Sequence, residues 1–178
     1  MHELKHYTDP FDFIRYALSC EQSYAGGGKA ASVPEMPGWK GYEVSDPERK
    51  WRLVDRYWVN KSGMSGGYTC MWDGRDIKMY MTLQGFYPKE ATLFLREVLK
   101  FTHTHHKEFL GFRGASWLSR PKLGFIYKNR MSSAEGFDQP SCFRGKEAVY
   151  RILPSSEDDP TSSATQVGYH LYQGAMFA

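Results

Sequence analysis

Apolar and polar side chains alternate most sharply between residues 76 and 84. Ile77, Met79, Met81 and Leu83 fall on one side of an extended chain, and Lys78, Tyr80, Thr82 and Gln84 fall on the other. This period of two predicts a half-buried strand. Tyr68 to Trp72 reads as its partner, with Asp73-Gly74 as the hairpin turn between them. Trp51 to Val59 predicts another strand, joined to the hairpin by the Gly- and Ser-rich connection NKSGMSGG. Two stretches repeat at helical spacing instead. Phe11, Ile14, Ala17 and Leu18 follow Asp9, a good N-cap, and Pro10, which suits a first helical position. That helix should stop before Gly26-Gly27-Gly28. Pro88 opens the second helix, in which Ala91, Phe94, Leu95, Val98, Leu99 and Thr102 form one apolar stripe. Beyond it the pattern predicts a strand over Leu123 to Lys128 and a hairpin-like segment from Cys142 to Leu153. A mobile acidic loop over Pro154 to Ala164 and a last strand over Gln166 to Gln173 complete it. The Pro-, Gly- and Ser-rich stretch from Lys29 to Lys50 reads as a long loop with room for one short strand.

Two strings recur. FIRYAL in the first helix matches FLREVL in the second, and YMTLQG (Tyr80 to Gly85) matches YHLYQG (Tyr169 to Gly174). The expected fold class is therefore α+β: two pseudo-repeated units, each a helix plus antiparallel strands, in a single domain over residues 1–178. The halves would run over about 9–87 and 88–178. One such unit has a single helix to cover its sheet, so the two should pair.

Composition narrows the function classes. The net charge is +3 and no run of Lys or Arg concentrates it, which argues against a nucleic-acid partner. No segment approaches the roughly 20 apolar residues of a membrane span, and the start MHELKHYTDP has no signal-like apolar run. The three cysteines, Cys20, Cys70 and Cys142, are odd in number and form no CxxC pair. They read as thiols of a reducing compartment, so a cytoplasmic location is expected, with neither disulfide framework nor zinc site. Aromatic residues make up 16%, more than a core of this size needs, which suits either an aromatic-rich sheet or a ring-lined cleft.

Several residues are candidates for chemistry. Tyr24-Ala25-Gly26-Gly27-Gly28 follows a helix, where a C-terminal turn is favoured over a phosphate cradle. The neighbouring His103, His105 and His106 do not converge as metal ligands would, so no metal is expected. His170, between Tyr169 and Tyr172 on the last strand, has an imidazole suited to proton transfer near neutral pH. Asp55, beside Arg56 and Tyr57 in a strand whose Trp51, Leu53 and Tyr57 face inward, needs a partner such as Arg113 or Arg144. Glu147 lies on a strand shortly after Phe143-Arg144-Gly145.

Taken together, the N-terminal helix running into Tyr-Ala-Gly-Gly-Gly, Asp55-Arg56-Tyr57 and Phe112-Arg113-Gly114 resemble one small family. So do Phe143-x-Gly145-x-Glu147 and Tyr169-His170-x-Tyr172-x-Gly174. It is the bacterial and fungal domain-of-unknown-function family 5680, and the resemblance spans about Phe11 to Gly174. The resemblance implies that the glycine string and the His-containing strand are family features, and it implies no activity. Attachment of some relatives to helix-turn-helix domains would fit ligand sensing.

The functional expectation is a stand-alone protein that binds a small aromatic or polycyclic molecule without a cofactor. It could act as an isomerase, cyclase, lyase or hydrolase, with homodimerisation compatible. In that reading His170 and Asp55 are catalytic, and Arg113, Tyr57, Tyr80, Tyr169, Tyr172 and Glu147 bind substrate. The alternatives are a non-catalytic ligand-sensing module and a protein-interaction domain.

Overall fold

Period-two segments dominate the folded chain. The computed structural model describes residues 10–46, 50–105, 113–133, 142–153 and 164–177. Asp9, His106, Phe112 and nearly all of the acidic loop before Ala164 lie outside them. The described strands are β1 (Ala31–Ser32), β2 (Lys40–Ser45), β3 (Trp51–Val59), β4 (Met64–Asp73) and β5 (Asp76–Phe86). They continue with β6 (Trp117–Arg120), β7 (Phe125–Ser133), β8 (Cys142–Ile152) and β9 (Ala164–Met176). Two helices, α1 (Pro10–Ser19) and α2 (Lys89–His105), and a 3₁₀ turn at Pro121–Leu123 complete the set. All described strands join one antiparallel sheet in the order β1-β2-β3-β4-β5-β9-β8-β7-β6.

This architecture corrects the expected α+β fold of two repeated helix-plus-strand units. Among the described residues the chain forms a single large β-sheet with two helices on it, and the helices are a minor part. The strings YMTLQG and YHLYQG lie side by side as central strands of that one sheet, with Met81 opposite Gly174 and Gly85 opposite His170. The error has a physical source. Amphipathic helices announce themselves over three or four turns, whereas β1 and β6 are too short to alternate and β2 alternates only over Tyr42, Glu43, Val44 and Ser45. Cys142 to Ile152 is one continuous strand, not a hairpin. Gly145 in its middle suggests a turn, yet it sits beneath the Tyr172 ring, where an added Cβ would lie 2.3 Å from that side chain.

Both helices cover the same sheet face. Phe13, Ile14 and Ala17 of α1 pack on Trp51, Leu53, Met71, Met79, Met81, Phe143 and Tyr172. Ala91, Phe94, Leu95, Val98 and Leu99 of α2 pack with Tyr87, Tyr127 and Val149. Each large side chain buried there contributes about 1.5–3 kcal/mol relative to exposure. A bulge at Met71/Trp72 breaks the expected alternation, and Ile77 is 46% exposed. No described helix is long and apolar enough to cross a membrane.

Candidate functional site

Between the two apolar clusters runs a row of polar side chains on the helix-covered face. Pairing aligns Ser65 of β4 with Gly85 of β5, His170 of β9, Glu147 of β8 and Asn129 of β7. Polar groups taken out of water must be bonded or the fold loses stability. Here they bond one another. Glu147 is fully buried and saturates both carboxylate oxygens. Its Oε1 accepts from His170 Nδ1 at 3.0 Å, from Arg113 Nε at 3.1 Å and from Arg113 Nη2. Its Oε2 accepts from the Tyr127 hydroxyl at 2.7 Å. Tyr127 in turn accepts from the Gly114 amide at 3.0 Å. Asn129 Nδ2 donates to the Gly114 carbonyl at 2.9 Å, and Tyr172 donates to Asn129 Oδ1 at 2.7 Å.

On the other side of His170, Nε2 lies 2.9 Å from Ser65 Oγ. With Nδ1–H assigned to the Glu147 carboxylate, Nε2 is the acceptor and the Ser65 hydroxyl donates. The two side chains meet across Gly85, where an ideal Cβ would stand 2.7 Å from His170 Cδ2 and 2.0 Å from the Tyr169 carbonyl oxygen. Gly85→Ala should therefore force β5 and β9 apart and break the Ser65–His170 bond. We expect a loss of about 1–3 kcal/mol in urea unfolding. A variant as stable as the parent would show that the strands adjust freely.

Electrostatics follow the contacts. Burial alone would raise the Glu147 pKa, but the Arg113 charge and the His170 bond outweigh it and hold the carboxylate well below its usual range. Burial would likewise strip Arg113 of its proton, and Glu147 reverses that and raises its pKa. Burial lowers the His170 pKa against the pull of Glu147, so its ring is neutral at neutral pH. The ring edge of Tyr87 packs on His170 with centroids 4.6 Å apart, and the Tyr87 hydroxyl is buried without a hydrogen-bond partner among the described residues.

Arg113 also lines a cavity of about 40 Å³ beneath the helices, together with Asp55, Thr69, Tyr24 and His103. That volume holds a few waters or a compact molecule. Asp55 stands opposite Thr69 and accepts its hydroxyl at 3.3 Å. Burial lifts the Asp55 pKa from 3.8 to about 6, with Arg113 and Thr69 moderating the rise. Burial and the nearby Arg113 charge drop His103 to about 3, so it is neutral. The turn after α1 closes the cavity with Ser23, Tyr24 and Ala25. Ser23 Oγ donates to the Leu18 carbonyl at 2.8 Å and accepts from the Gly26 amide at 3.0 Å, so the glycine string here serves as a helix C-terminal turn.

The residues singled out from sequence separate into three groups. His170, Glu147 and Arg113 form the bonded network, and Asp55 shares a cavity with Arg113. Tyr57 and Tyr172 lie on the same face, Tyr57 stacked on Tyr42 at 6.0 Å and Tyr172 tied to Asn129. Tyr80 and Tyr169 do not join them: strand alternation places both on the opposite face. Sequence reasoning missed Ser65 and Tyr127. Ser65 sat inside a stretch read as a connection, while alternation with Phe125 was a usable signal for Tyr127. No protein-family model, curated protein or solved structure matches the chain.

Proposed function

We propose that this chain is a cofactor-independent enzyme of the isomerase or lyase type, which moves a proton on a compact organic molecule held between the helices and the sheet. Asp55 carries the reading. Its carboxyl lines a cavity shared with a guanidinium, and burial brings its pKa to about 6. A carboxylate with that affinity both takes and returns a proton near neutral pH. Arg113 across the cavity supplies donors for an oxygen on which negative charge develops. Thr69 orients the carboxyl. Glu147, His170 and Tyr127 act as positioning residues, because Glu147 holds Arg113, His170 and Tyr127 hold Glu147, and none of the three lines the cavity. A volume of about 40 Å³ favours a substrate of few heavy atoms over the polycyclic one expected from aromatic content.

The test is a panel of small ketones and keto acids in heavy water, followed by NMR for exchange of carbon-bound protons. Exchange should occur with the parent protein and fall by about 10²-fold or more in Asp55→Asn. Equal rates in the two proteins, or no exchange with any member, would end this reading.

A second reading rests on the order Ser65 Oγ, His170 Nε2, His170 Nδ1, Glu147 Oε1, which is the bonding order of a hydrolytic triad. It requires a nucleophile that substrate reaches, and Ser65 is 9% exposed. Covalent labelling of Ser65 by a small fluorophosphonate would favour hydrolysis over proton transfer.

A further inference from the structure

The sheet face turned away from the helices carries a different chemistry. A groove of about 590 Å³ crosses β5, β9, β8 and β7, and the exposed Arg130, Arg144 and Lys146 line it with Thr82, Gln84 and Gln173. No carboxylate lines it among the described residues. Among the described residues none of the three cations has an ion-pair partner. The pairing of β7 with β8 places Arg130 directly opposite Lys146, and like charges in that position destabilise a sheet. A fold that keeps this repulsion on an open face is complementary to a bound anion.

Aromatic rings flank the charged centre along β9. Tyr169 carries Lys146 over its ring at 5.5 Å. Toward the other end, Tyr80 pairs beside Ala175, is 41% exposed, and is stacked at 6.0 Å on Tyr68. From residue 169 to residue 175 the strand advances roughly 20 Å. Lys128 over Tyr150 repeats the cation-and-ring pattern on the β7/β8 side of the face.

We propose that this outer face binds single-stranded nucleic acid, with phosphates on Arg130, Arg144 and Lys146 and bases against the exposed rings. Cations in a groove track a phosphate backbone, and flanking rings accept bases of any sequence. The small net charge of +3 does not register the site, because it sums over the whole chain while Arg130, Arg144 and Lys146 act together on one groove.

Fluorescence anisotropy with a labelled oligothymidylate of about 12 nucleotides, a length within the usual site sizes, tests the assignment on the full chain. The parent should bind, and Arg144→Gln/Lys146→Gln should weaken binding at least tenfold. The slope of log affinity against log salt should shrink by about 0.7 for each cation removed. Melting temperature should hold or rise in that variant, since it relieves Arg130, and this separates lost binding from lost fold. Tyr80→Ala should weaken binding severalfold at an unchanged salt slope. Absence of binding by the parent would overturn the proposal. So would displacement of the oligonucleotide by equimolar inorganic pyrophosphate together with indifference to Tyr80→Ala, because the groove would then be a general anion site.

Discussion

Glu147→Gln should destabilise the protein by about 3–5 kcal/mol at neutral pH, the cost of leaving one member of a buried ion pair without the other. The carboxylate accepts from Arg113, His170 and Tyr127. The amide keeps the shape and removes the charge, so the Arg113 guanidinium, its side chain only 12% exposed, loses its counter-charge. Removing both partners tells burial from pairing. Glu147→Gln/Arg113→Met should recover a large part of the loss, because neither a charge nor its unpaired partner then stays inside. The Glu147 pKa is depressed in the folded state, so its stabilisation is fully present above the ordinary carboxylate pKa and fades as pH falls through the folded value. The gap between parent and single variant should therefore close in strong acid. Urea titrations showing less than about 1 kcal/mol of loss at neutral pH would mean that water reaches the pair, since exposed ion pairs are worth no more.

Asp55→Asn should act in the opposite direction. The Asp55 pKa is raised in the folded state, from 3.8 to about 6, chiefly by burial. A raised carboxyl holds its proton more tightly when folded. Stability is then complete below the unfolded pKa and declines as pH climbs toward 6. The full shift corresponds to roughly 3 kcal/mol, and partial exposure of the side chain brings the expected effect to roughly 1–3 kcal/mol. The asparagine has nothing to ionise. The difference in unfolding free energy between variant and parent should be small near pH 4 and should favour the variant above pH 7. Taking the difference removes the histidines, whose titration is common to both proteins. A variant that is less stable at pH 8 would place Asp55 in a structural ion pair with Arg113. Gained stability together with lost proton exchange is the pattern of a residue kept for chemistry at a cost to the fold.

These residues show what sequence could and could not disclose. The Met79, Met81 and Leu83 alternation, the α2 stripe and the strand from Trp51 to Val59 were legible because each is a local pattern repeated several times. The sheet's extent was not. Which strand neighbours which depends on register between segments about ninety residues apart, and the pairing of β5 with β9 leaves no local mark. At the site, Asp55, Arg113, Glu147 and His170 were each visible as a charged or titratable residue in an apolar setting. Their grouping was not, and neither was the separation of Tyr80 and Tyr169, which lie on the other face of the sheet from His170 and Asp55. Ser65 escaped notice because glycines at 63, 66 and 67 made an ordinary strand look like a flexible link. Gly85 went unread as a site feature because its contribution is the side chain it lacks.

β9, the last of the described strands in chain order, occupies the middle of the sheet, with β5 on one flank and β8 on the other. During synthesis β5 and β8 have both left the ribosome before residue 164 appears, and each waits with an unpaired edge. Such edges recruit other chains, so the nascent protein passes through an aggregation-prone interval that ends only when β9 inserts. Closing the sheet through contacts so distant along the chain also predicts slow refolding, on the millisecond-to-second scale of β-rich topologies.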